Sequence, residues 1–180
     1  EEMIKLDLHI INKASTEWKH TLLSSVEMRN SLEEQAEMYQ GKTGRYIRPI
    51  SLIQVERTGK NQRGEKFIHA EDAKDYLVKE CGISPDEIAI KSSDKDDIEG
   101  INLLDSDCPI RYIITKSALQ EGWDCPFAYV LTVLSNSSAL TSMTQLVGRI
   151  LRQPYAKKTG MKELDESYVY CFQESSKNVL

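Results

Sequence analysis

No run of about 18 apolar residues occurs in this chain, so nothing in it reads as a membrane-spanning helix, and no secretory leader opens it. It begins at Glu1 rather than at methionine, as an excised piece of a longer protein would. Its four cysteines, Cys81, Cys108, Cys125 and Cys171, stand far apart with no CxxC pair. That spacing argues against a zinc site or a disulfide framework and fits a reducing cytoplasm. Positive charge is also in deficit, with 23 Lys and Arg against 28 Asp and Glu and a net charge of -5. A free-standing basic nucleic-acid binder is thereby disfavoured, and any DNA contact must be local. A GxxxxGK[ST] phosphate loop is missing too. Gly41-Lys42-Thr43 copies its end, but Ala36 stands where the first glycine is required and no strand precedes it, so this tripeptide reads as a helix C-terminus. His9 and His20 lack neighbours at ligand spacing and read as packing or solvent-facing residues.

What is present suffices for one core: 180 residues, 40% of them hydrophobic. Ile4, Leu6, Leu8 and Ile10 alternate with other residues from Met3 to Ile11, which predicts a strand whose partner the sequence does not name. From Thr16 to Tyr39, Trp18, Leu22, Val26, Arg29, Leu32 and Ala36 recur at helical spacing and predict one long amphipathic helix. We take residues 1–47 as a connector of strand and helix and 48–180 as the main domain. Within the latter, Pro49 to Glu56 is an apolar run of the kind buried in parallel sheets. A polar loop follows, with Arg57, Lys60, Arg63 and Lys66 as local DNA-contact candidates beside Lys157 and Lys158. Ala70 to Cys81 is predicted helical and ended by Gly82, Glu87 to Lys91 extended, and residues 98–104 a short helix in an acidic stretch. Arg111 to Lys116, Ala128 to Leu134 and Ser167 to Phe172 are further strands. Strands alternating with helices imply an α/β class with a mainly parallel sheet flanked by helices.

Two stretches carry chemistry. In Ser138 to Pro154, read as a helix capped by Ser138 and stopped by Pro154, Gln145, Arg149 and Arg152 fall within roughly 60° at 100° per residue. Leu140, Met143, Leu146, Val147, Ile150 and Leu151 occupy the opposite arc. Gly148 beside the polar stripe costs roughly 1 kcal/mol against alanine in a helix and points to a backbone or ligand approaching there. Spacing alone is also met by a core helix with a solvated polar face. The second stretch follows the strand at Arg111 to Lys116 and reads Ser117-Ala-Leu-Gln-Glu-Gly122-Trp123-Asp124-Cys125-Pro126. Loops at strand carboxyl ends are where open α/β sheets bind ligands. A tight turn capped by Asp124, with Trp123 as a packing anchor, is the plainer reading.

The pattern Gln145-x-x-Gly148-Arg149-x-x-Arg152 matches the QxxGRxxR motif of superfamily 2 helicases and translocases, and the Gly122-x-Asp124 stretch resembles their preceding motif. The chain therefore resembles the second RecA-like domain of those motors from about Arg48 to Phe172. The wording ALQEGWDCP, TQLVGRILRQP and YIRPISLIQVE is most similar to the helicase (Res) subunit of type III restriction enzymes. This resemblance implies that Arg152 is an arginine finger, Arg149 a second phosphate contact and Gln145 an orienter of phosphate or water. It places Gly122, Asp124 and Gly148 near the nucleotide, and Thr115 and Lys116 against DNA. It further implies ATP and Mg2+ held mainly by a first RecA-like domain that this sequence lacks, double-stranded DNA as the track, and a modification (methyltransferase) subunit as partner. Nuclease motifs are not present in these residues. A repair or remodelling helicase without a nuclease, or a RecA-like domain that only docks a partner, are the alternatives.

Overall fold

A computed structural model describes residues 4, 5, 7–13, 18–55, 68–116, 125–134 and 147–172. Six strands form one sheet in the order β1-β6-β5-β2-β4-β3: β1 Asp7–Lys13, β2 Ile50–Gln54, β3 Ile88–Lys91, β4 Tyr112–Thr115, β5 Ala128–Val133 and β6 Glu166–Phe172. Every pairing is parallel. Together with the long helix α1, Trp18–Thr43, and α2, Ala70–Lys79, this sheet matches the RecA-like α/β fold. The N-terminal strand finds its partner in β6, from Asp7 opposite Glu166 to Lys13 opposite Phe172.

The central strands are short apolar runs because both of their faces are covered, and β2, β4 and β5 are buried at every position. Successive residues feed different clusters. Ile53, Ile90, Tyr112 and Ile114 pack with Leu22 and Val26 of α1 and Ala73 and Leu77 of α2. Leu52, Ala89 and Ile113 join a cluster that also holds Ile150 and Leu164. The expected stripe of α1 is observed, with Leu22, Val26, Arg29, Leu32 and Ala36 buried. The buried Arg29 guanidinium is satisfied by the Pro49 carbonyl at 2.9 Å, the Tyr112 hydroxyl at 3.1 Å and the Glu33 carboxylate. Gly41-Lys42-Thr43 is the last turn of α1. Gly44, at φ 75°, closes it by donating its N–H to the Gln40 carbonyl at 2.7 Å.

α2 starts where the sequence put it, on a capping box in which the Glu71 N–H donates to His69 Nδ1 and the His69 N–H to Asp72. It ends at Lys79, two residues before the expected Cys81, with Glu80 as its C-cap, and Gly82 follows at φ 69°. The short helix expected at residues 98–104 is corrected to a series of turns. Gly100 takes a left-handed φ of 71°, and the Asp96, Asn102 and Asp105 side chains each accept the N–H two residues on. Such local side-chain bonds compete directly with a helix. The buried guanidinium of Arg48 fixes the turns by donating to the Leu103, Asp105 and Ile110 carbonyls. Among the described residues no helix is long and apolar enough to cross a membrane, and all four cysteines are free thiols.

Candidate functional site

The arginine-bearing segment holds Gly148, Arg149 and Arg152 of the predicted site. Residues 147–150 are helical, but Leu151 leaves the helix and Arg152 forms an isolated antiparallel bridge with Ile4. The expected helix end near Arg152 is therefore corrected to Ile150. The physical reason is a competing partner: the Lys5 N–H donates to the Leu151 carbonyl at 2.7 Å, while Gln153, next to Pro154, must stay extended and does, at φ -79° and ψ 132°. Burial changes over three neighbours. Ile150 is fully buried, Leu151 half-buried and Arg152 exposed. Arg149 is half-buried and Gly148 exposed. A Cβ built on Gly148 would meet no described atom within 4 Å, so internal packing among the described residues does not require the glycine. Gln145, Gly122, Asp124, Ser138 and Trp123 lie outside the described residues, as do Arg57, Lys60, Arg63 and Lys66.

Several groups hold this segment in place. The Lys5 ammonium, 3% exposed, donates to the carbonyls of Ile150 at 2.7 Å, Arg152 at 2.5 Å, Ala128 at 3.0 Å and Pro126 at 3.4 Å. It also lies 4.3 Å from the centre of the Tyr129 ring. Burial pulls its pKa from 10.5 down to about 7, with Cys125 acting the other way. The Ser167 hydroxyl donates to the Ile150 carbonyl at 2.9 Å. Beyond Arg152, Gln153 donates to Leu164 and to Asp165, and Asp165 also accepts from Thr159 and Gly160. Tyr155 and Ala156 are then left-handed, at φ 57° and 51°. Two consecutive non-glycine residues in that region store strain that only well-fixed surroundings sustain, and here the Tyr155 hydroxyl donates to the Tyr46 carbonyl at 2.6 Å.

Thr115 and Lys116 lie elsewhere. Thr115 ends β4, in register with Gln54 at the end of β2, which pairs in turn with Val133 at the end of β5. The carbonyls of Ile150 and Arg152 converge on Lys5 beside Ala128, the first residue of β5. The two predicted groups therefore occupy opposite ends of the sheet. Thr115 is fully buried and Lys116 half-buried, so Lys116 is the one that reaches the edge. Its Nζ stands 3.2 Å from His69 Nε2 at the N-terminus of α2. Sequence reasoning missed Lys5 and His69. A lysine in an alternating strand reads as solvent-facing, which left Lys5 without a signal; His69 followed three residues later by Asp72 has the spacing of a capping box. Among the described residues no cluster of His, Cys, Asp or Glu could hold a metal ion.

No protein-family profile matches the chain. Over 52 residues, 29% of its length, it is 46% identical to the Res subunit of the type III restriction-modification enzyme EcoPI of Escherichia phage P1 and to that of EcoP15I of Escherichia coli. That match spans 5% of either relative. Among solved structures, the C-terminal domain of S. cerevisiae Dbp5 bound to Gle1 and IP6 aligns with a TM-score of 0.43 and 15% identity, over 97% of this chain and 78% of that one. The likeness to Res subunits is confined to that short segment of the chain.

Proposed function

We propose that this chain is the second RecA-like domain of an ATP-driven motor on double-stranded DNA, within an enzyme of the type III restriction kind. In this reading a first domain binds ATP and Mg2+, and this chain completes the site. Arg152 meets the γ-phosphate as an arginine finger, Arg149 is a second phosphate contact and Gln145 orients phosphate or water. Gly122, Asp124 and Gly148 lie against the nucleotide. Lys116, with Thr115 behind it, marks the DNA side at the other end of the sheet. A methyltransferase subunit is the expected further partner.

The observation that carries the proposal is an exposed arginine on a backbone that is tied down. The carbonyls on either side of Leu151 both accept from Lys5, and strained backbone follows within three residues of Arg152. A guanidinium is always charged and presents a planar fork of donors, which suits charge on a transferring phosphoryl group, and preorganisation is what such a group needs to act. Mg2+ would neutralise phosphate charge in the partner domain. The described residues of this segment would offer guanidinium groups to the same phosphate.

The test is titration calorimetry of the 180-residue chain with Mg-ATP. Affinity no tighter than about millimolar, near 4 kcal/mol, is expected when the phosphate-binding elements belong to another domain. Micromolar binding would place the nucleotide site within this chain and defeat the half-site reading.

A further inference from the structure

The contact between Lys5 and the arginine segment joins residues 145 and 147 positions apart in sequence. It is made twice over. The backbone of Ile4 and Lys5 bridges to Leu151 and Arg152, and the Lys5 side chain reaches the carbonyls of Ile150 and Arg152 while also bonding Ala128 at the start of β5. Among the described residues the ammonium is met by carbonyls rather than by a carboxylate. Carbonyls freed at a helix C-terminus are natural acceptors for a lysine. What is unusual is the distance in sequence and the depth of burial, which no surface cap requires.

We propose that Lys5 is a positioning residue for Arg152: its side chain ties the end of the arginine segment to the amino end of β5, so that the N-terminal strand region and Arg152 move as one unit. The consequence for the motor rests on the reading of Arg152 given above, whereas the mechanical coupling itself does not. Movement of the N-terminal segment would reach Arg152 through this tie.

The tie has a proton-linked signature. Opening it returns Lys5 to water, where its ordinary pKa of 10.5 replaces the closed-state value of about 7. Between those values the open form binds more protons than the closed form, so opening becomes harder as pH rises. Among the described residues, other titratable groups lie on the elements packed around Lys5. Cys125 and Tyr129, at the amino end of β5, are both raised by burial. A Cys125 thiol exposed on opening would push in the opposite direction. Asp165 is bonded to Gln153 and Thr159, and Glu166 to His9. Arg149 and Arg152 belong to the tied segment itself.

Amide hydrogen exchange on the 180-residue chain measures this directly. After correction for intrinsic rates, protection of the Leu151, Arg152 and Gln153 amides is expected to climb from pH 7 to 9 by up to about tenfold per unit. The climb should vanish in Lys5→Met. Amides in the last turn of α2, which open without moving Lys5, should stay flat in both proteins. A flat profile at Leu151, Arg152 and Gln153 in the unaltered chain overturns the inference, as does an equal climb in Lys5→Met; the first result needs no variant and so survives any failure of Lys5→Met to fold. Since no nucleotide is involved, failure here leaves the role of Arg152 to be judged by the turnover of Arg152→Ala, and a normal turnover there leaves the tie intact.

Discussion

Truncating Ile150, Leu151 and Arg152 one at a time to alanine is expected to give three different losses of stability. In a continuous helix, burial would follow the 100° turn from residue to residue. That turn keeps Leu151 on the apolar arc of Ile150, whereas here Leu151 is only half-buried and lies beyond the helix end at Ile150. Ile150 has no exposed surface and belongs to the core cluster with Tyr129 and Leu164, so Ile150→Ala should cost about 2 to 5 kcal/mol in lost transfer energy and cavity. Leu151 is half-buried. Losing part of its apolar contact should cost about 1 to 2 kcal/mol on the same scale. Arg152 is exposed, and Arg152→Ala should stay within about 0.5 kcal/mol of the parent. The Lys5 contacts reach carbonyls rather than side chains, so none of the three changes removes them. Urea denaturation of the 180-residue chain resolves the order, with midpoint shifts read at constant slope. A Leu151→Ala loss equal to or larger than that of Ile150→Ala would refute the observed exit from the helix and restore the continuous helix expected from the sequence.

Global stability should carry the same proton linkage as the tie. With Lys5 lowered to about 7 when folded and near 10.5 when unfolded, the unfolded chain binds more protons between those values, so this group's stabilising contribution is complete above 10.5 and lost as pH falls through 7. Relative to Lys5→Met, the unaltered chain should gain about 2 to 5 kcal/mol across that window in urea melts, at about 1.4 kcal/mol per pKa unit; an unchanging difference would contradict it. Duplex DNA should bind feebly and with strong salt dependence, given a net charge of -5 and only local lysines such as Lys116, Lys157 and Lys158. Tight binding indifferent to ionic strength in a fluorescence titration would show that the contact is not a phosphate contact.

Most of the architecture was legible because parallel strands buried on both faces are written as apolar runs, as in ISLIQ of β2 and AYVLTV of β5. The stripe of α1 showed in its spacing for the same reason, even with Arg29 on it. The place of β1 was not legible. Alternation marks a strand, but the choice of β6 as neighbour depends on contacts about 160 residues away in sequence, such as Asp7 with Glu166. Local bonding also hid the turns at residues 98–104, where Asn and Asp side chains divert the backbone. In the candidate site, the motif singled out the arginine residues, but the helix end was misplaced. Periodicity has no means of registering that Lys5, buried and distant, takes the carbonyls of Ile150 and Arg152.

The central claim is that Arg152 acts across a domain boundary and not as a solvated surface group. The direct measurement is DNA-stimulated ATP hydrolysis by this chain joined to the ATP-binding first domain that the proposal requires, with thermal melts on the same samples. Arg152→Ala is expected to melt normally and to lose about 10³ to 10⁵ in turnover, the range for an arginine finger. Arg152→Lys should fail as well, because an ammonium keeps the charge without the planar fork. Near-normal turnover of a normally folded Arg152→Ala enzyme would contradict the account and leave this segment as a packed element with a solvated arginine.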